Sequence, residues 1–193
     1  MLTGAVKVGL SRAGANSFAR EGKRNHFVFS TAKRALVLAC GNPHRGDDAV
    51  GLHVAKSLVC GFCDSGTEVH SQQQWLPEMA ETISEANLVI FVDASAELSP
   101  GEVCTRLVTA RPSPQAFTHS LSPEKLLALA RDLYHSLPQE AYIISIGGES
   151  FAPCDQLSES VRHAIPLALE QVKAILSGVS VPHPAATAAP SID

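Results

Sequence analysis

The sequence predicts an α/β domain: a three-layer sandwich with a mostly parallel, twisted five-stranded sheet, helices on both faces and one antiparallel strand. Three observations predict it. Short apolar runs of strand length alternate with longer segments of helical period. Two of the runs, Ala35–Cys40 and Leu88–Val92, are continuously apolar, as in strands covered on both faces. The Ser95–Pro100 connection is too short to hold a crossover helix, so the strand after it should run antiparallel.

Taken in order, Ala35–Cys40 is a buried strand broken by Gly41, Asn42 and Pro43. From Ala49 to Val59, Val50, Val54 and Leu58 recur every fourth position and mark a helix face. Thr67–Ser71 reads as a weaker strand. Leu76–Ala86 reads as a helix with Pro77 in its first turn. Leu88–Val92 is a strand ending at Asp93, and Val103–Val108 alternates as an edge strand does. Ser122 is placed to cap a helix with Pro123 at its first position and Leu126, Ala130, Leu133 and Leu137 along one face. Tyr142–Ile146 is a strand closed by Gly147 and Gly148. Ser158–Leu176 is a long helix with Val161, Ile165, Leu169, Val172 and Leu176 as its stripe, and Pro166 inside it should kink it.

Of 193 residues, 45% are hydrophobic and 18% charged, the balance of an ordinary globular chain. No apolar run approaches the roughly 20 residues of a membrane span. Five irregularly spaced cysteines do not form a disulfide framework and fit a reducing, cytoplasmic setting. The net charge of −4 hides a split: residues 1–34 carry +6 and residues 35–193 carry −10. The acidic part argues against nucleic acid and against membrane insertion. Residues 1–34 lack periodicity and read as a disordered basic arm, with no apolar stretch of the secretory kind. Residues 178–193, rich in Pro and Ala, read as a disordered tail. The α/β domain is then 35–177.

In open α/β sheets, ligands bind beyond the carboxyl ends of the strands, where strand order reverses. Asp47 and Asp48 follow the first strand and Asp93 ends the third. Carboxylates converging in one crevice are costly unless a cation or proton offsets them. One of the Asp47–Asp48 pair is accounted for as a helix N-cap, which leaves the other unexplained. His119 lies in the loop before the Ser122 helix, on the same side of the sheet. Two carboxylates and an imidazole suit a borderline transition metal such as nickel or zinc rather than calcium.

These residues stand in a wider pattern. Gly41-Asn42, then, after four intervening residues, Asp47-Asp48, then Gly51 resembles the opening motif of the hydrogenase maturation proteases. The resemblance continues through Leu88–Ala94, Pro100-Gly101-Glu102, Thr118-His119, Ile144–Glu149 and Leu157-Ser158, covering about residues 35–177. It implies a metal-dependent endopeptidase, a hydrolase, that trims the C-terminal extension from the large-subunit precursor of a nickel–iron hydrogenase after nickel insertion. It implies that Asp48, Asp93 and His119 contact the metal, with Asp48 and Asp93 also catalytic. The nickel would be carried by the substrate, and zinc or cadmium could take the same place in a crystal. Gly41, Asn42, Asp47, Gln72, Gln73, Gly147 and Gly148 would border the substrate, and the enzyme would work as a monomer. Three features depart from the family. Ala49 stands where many members have Gly, Glu124 occupies the place where some subgroups carry the histidine, and Gln72-Gln73-Gln74 replaces a Gly-rich turn.

Other motifs carry less. Cys60-Gly61-Phe62-Cys63 has redox or zinc spacing but no second pair. Cys40 and Cys154 read as buried small apolar residues. There is no His-Glu-x-x-His and no Gly-rich phosphate loop. Ser145 lacks the glycines of a nucleophile elbow. His44 is noted because it sits in the Gly41–Asp48 loop. Two other readings remain open: a phosphorelay receiver-like domain with Asp93 as acceptor, and a non-catalytic nickel-binding module. Against the receiver, six residues separate Cys40 from Asp47, and no lysine ends the last strand.

Overall fold

The computed structural model describes residues 34–61, 66–111 and 121–179. Chain packing divides the sequence into Met1–Thr31 and Ala32–Asp193, and every described residue falls in the second unit. Residues 1–33 of the 1–34 basic arm, His119 with its loop, Cys63 and residues 180–193 of the 178–193 tail lie outside the described residues.

Among the described residues, five strands form one sheet: β1 (Ala35–Cys40), β2 (Thr67–Gln72), β3 (Leu88–Ser95), β4 (Val103–Leu107) and β5 (Glu140–Gly147). Their spatial order is β2-β1-β3-β5-β4. All neighbours are parallel except β4, which pairs antiparallel with β5 at the edge. The short connection after β3 forces that reversal, as expected. A receiver's doubly wound sheet runs 2-1-3-4-5, all parallel; this sheet does not.

Among the described residues, four helices complete the layers: α1 (Val50–Gly61), α2 (Met79–Glu85), α3 (Pro123–Tyr134) and α4 (Glu159–Leu176). The strand pleat divides the core between two faces. Ala35, Val37 and Ala39 of β1, with Ile90 and Val92 of β3, pack against Val50, Val54 and Leu58 of α1 and Val161, Ala168 and Val172 of α4. Leu36, Leu38 and Cys40, with Val89 and Phe91, pack against Ala80 and Ile83 of α2 and Leu126, Leu127 and Ala130 of α3. All six residues of β1 are buried, which is why its sequence is apolar at every position rather than at alternate ones. Among the described residues no helix is long and apolar enough to cross a membrane.

Several boundaries differ from the sequence reading. β3 runs past Asp93 to Ser95 because its ladder with β5 continues to Ser95–Gly147. The α2 helix starts only at Met79: Leu76 and Pro77 accept the N–H groups of Met79 and Ala80 in a tighter entry turn. On α3, Ser122 caps Lys125 N–H as expected, but the apolar stripe stops early. His135 takes the left-handed conformation (φ 53°) and ends the helix, so Leu137 lies beyond it; within the helix Leu133 is 60% exposed and Leu127 is buried instead. On α4 the deepest line is Val161, Ala164, Ala168, Val172 and Ile175; Ile165, Leu169 and Leu176 flank it, and Pro166 sits within the continuous helix.

Candidate functional site

β1 lies between β2 and β3, so strand order reverses there and the carboxyl ends of β1 and β3 open a crevice. Gly51, in the first turn of α1, lets that helix settle onto both ends. A Cβ there would overlap the Cys40 carbonyl oxygen and lie 2.9 Å from that of Val92. Before α1, Gly46–Ala49 forms one 3-10 turn that carries Asp47 and Asp48.

The two acids of that turn point to different work. Asp48 Oδ2 accepts the Asn42 N–H at 2.9 Å. Gly41 permits that return, because any Cβ on it would overlap the Asp48 carbonyl oxygen. Asp48 stays half-buried on the wall of a cleft of about 500 Å³ shared with Asn42, Arg45, Gln72, Gln73, Gln74 and Leu76. Asp47 is placed otherwise than expected. It is buried, and its carboxylate accepts the backbone N–H groups of Glu149 (2.8 Å), Ser150 (2.9 Å) and Ser158 (2.7 Å). Burial alone would raise its pKa; the three donors together outweigh that and hold it below the ordinary value. Asp47 therefore secures the segment between β5 and α4 and is not on the cleft wall.

More bonds tie the same two segments. Gly46 N–H donates to Cys154 O (2.7 Å), Asp47 N–H to Ser150 O (3.0 Å) and Cys154 N–H to His44 O (3.1 Å). His44 Nδ1 meets Asp155 Oδ1 at 2.9 Å, which turns this imidazole toward the β5–α4 segment.

Asp93 sits next to Ser145 in the ladder, at the carboxyl end of β3, and is not among the residues that line that cleft. Its carboxyl is pushed up to about 6, chiefly by burial and further by the negative charge of Asp48. The Ala94 N–H (2.9 Å) and the Trp75 indole pull the other way. Trp75 is held in turn by an edge-on contact with Phe91, ring centres 5.4 Å apart. Cys40 completes the cluster. Burial, then Asp93 and Asp48, push its thiol up to about 12, so it is held as a neutral thiol and is no nucleophile.

Of the residues expected at the site, the structure thus brings Asp48 and Asp93 together and lines the cleft with Asn42, Gln72 and Gln73. Gly147 and Gly148 pack elsewhere. A Cβ on Gly147 would overlap the Ser99 carbonyl oxygen, and one on Gly148 would lie 2.5 Å from the Phe151 ring. Glu124 is committed to Arg106 on β4, 2.9 Å away. His119 lies outside the described residues. Among those residues no three His, Cys, Asp or Glu side chains converge to hold a metal ion. Arg45 and Trp75 were not singled out from the sequence. A lone cation beside an acidic pair and the single tryptophan before Pro77 were the signals available.

No family model matches the chain, and no curated protein matches it. Solved structures do. The hydrogenase maturating endopeptidase of Escherichia coli matches over 75% of this chain and 93% of its own, at 24% identity and TM-score 0.63. A hydrogenase 2 maturation peptidase from a Thaumarchaeota archaeon matches over 75% and 98%, at 26% identity and TM-score 0.57. This is the fold of the hydrogenase maturation peptidases. A [NiFe] hydrogenase maturation protease from Thermococcus kodakarensis agrees, over 78% of this chain and 96% of its own, at 22% identity and TM-score 0.60. The resemblance read from the sequence and the similarity in structure point to the same family. The shared part nearly spans those peptidases, while about a quarter of this chain lies outside each match.

Proposed function

We propose that this chain is an endopeptidase that removes the C-terminal extension of a nickel–iron hydrogenase large-subunit precursor after nickel insertion. The observation that carries the reading is the pairing of Asp48 and Asp93. Two carboxylates from separate segments stand at the switch point of the sheet, near enough that the negative charge of Asp48 adds to burial in pushing the Asp93 carboxyl up to about 6. Such a pair gains from an approaching cation, which would replace the Asp93 proton. In this reading the cation is the nickel of the substrate, docked by Asp48, Asp93 and His119. The nickel polarises the scissile carbonyl or acidifies a water, and Asp48 or Asp93 takes the proton. Asn42 keeps Asp48 aimed, and Trp75 keeps Asp93 in place. The protein works in the cytoplasm as a monomer on its large partner.

The test is cleavage of a precursor with and without nickel. Cleavage should need the loaded precursor and should fall by at least 100-fold in Asp48→Ala, Asp93→Ala and His119→Ala. Equal cleavage of nickel-free precursor would overturn the metal docking.

A further inference from the structure

The cleft does not stop at Asp48. Its far wall is Gln72, Gln73 and Gln74, where β2 leaves the sheet. β2 is an edge strand: among the described residues it pairs with β1 alone. Ala35 N–H donates to Gly66 O (3.0 Å) and Gly41 N–H to Gln72 O (3.1 Å), in a register that runs Ala35–Thr67 to Cys40–Gln72. The even-numbered residues of β2 therefore turn their backbone groups toward β1. Val69 and Ser71, between them, turn N–H and C=O outward.

Most natural edges are blunted by lysine, proline or a bulge. The β2 sequence Thr-Glu-Val-His-Ser-Gln has neither lysine nor proline, and its last three residues are exposed. The other edge strand, β4, is three strands from β1, about 14 Å, whereas β2 is one, about 5 Å. Only β2 leads into the cleft. The three glutamine amides there carry donors and acceptors together, the complement of a peptide backbone.

We propose that the substrate's C-terminal segment binds as an extended strand on the outer edge of β2, pairing with Val69 and Ser71, and crosses the cleft past Gln73 to Asp48. Backbone pairing gives affinity with little side-chain selectivity. The inference rests on the peptidase reading and adds where the peptide lies.

Two measurements on the full chain test it. Ser71→Pro removes an N–H that the β1 ladder does not use. It should raise the KM for the nickel-loaded precursor at least tenfold and leave kcat within twofold. A deuterium pulse, read residue by residue, should show Val69 and Ser71 amides exchanging readily in the free protein. Saturating precursor should slow them at least tenfold. Where Ser71→Pro fails to fold, the exchange result alone decides. Precursor cut normally while both amides stay fast, or an unchanged KM in folded Ser71→Pro, would overturn the inference and leave the peptidase reading standing. Amides already slow before precursor is added, from another part of the chain or a second copy, would also overturn it. A precursor neither bound nor cut would overturn the peptidase reading instead.

Discussion

The carboxylate of Asp47 accepts the backbone N–H of Ser158 at 2.7 Å, across 111 positions of the chain. Ser158 is the residue whose hydroxyl caps α4. One acid in the loop after β1 thereby fixes the start of the last helix, while its neighbour Asp48 faces the cleft. Asp47 does satisfy donors at a helix start, but the helix is α4 and not the one that follows it in sequence.

Asp47→Ala should therefore cost about 2 kcal/mol or more, because three part-buried N–H groups lose an ionised acceptor together. Urea unfolding at pH 7 measures it. The folded-state pKa of Asp47 is lowered, so its contribution is present above the unfolded-state value near 3.8 and is lost as pH falls through the folded one. The gap between native and Asp47→Ala proteins should narrow below about pH 4.

Asp93 works in the opposite sense. Its folded-state pKa, about 6, stands above the unfolded 3.8. The stability it allows is full below the unfolded value and is lost as pH rises through 6. At pH 7 the ionised, buried carboxylate is a burden of up to about 3 kcal/mol. Asp93→Asn should be more stable than the native protein at pH 7, equal to it near pH 4, and inactive at both. Thermal melts across that range, with cleavage assays beside them, check the trade of stability for activity.

The sequence made the sheet legible because β1 and β3 are buried on both faces and carry no polar residue until their carboxyl ends. There the polar residues, Asp47, Asp48 and Asp93, stand out. What it could not show was direction. Asp47 and Asp48 are adjacent and chemically identical, and only the 3-10 turn sends one inward and the other to the cleft. Gly147 and Gly148 look like a cleft rim in sequence. Their small size instead serves contact with Ser99 and Phe151, which no local pattern encodes. Leu137 fits a helical stripe, but His135 ends α3 before it; Leu133 lies within α3 and is exposed all the same.

Cys40 should resist thiol reagents. Its thiol, pushed up to about 12 by burial and then by Asp93 and Asp48, has almost no thiolate at pH 8. Cys60 and Cys154 are exposed. Iodoacetamide on the native protein should label those two at least 100-fold faster than Cys40, read by mass spectrometry. In Asp93→Asn the Cys40 rate should rise somewhat, since one opposing charge is gone, while burial still keeps it slow.

Gly51 gives the last prediction. The first turn of α1 rests on the carbonyl ends of β1 and β3 so closely that a Cβ has no room. The clashing atoms are backbone oxygens, which cannot rotate away as a side-chain tip would, so the helix itself must lift. Gly51→Ala should then lose about 2 kcal/mol or more, although alanine is the better helix former by about 1 kcal/mol. Lifting α1 also moves the 3-10 turn before it, and with it Asp48 relative to Asp93. Cleavage by the folded Gly51→Ala protein should therefore fall at least tenfold in kcat. A variant at Gly61, where an added Cβ meets nothing, provides the control: Gly61→Ala should leave both stability and kcat nearly unchanged.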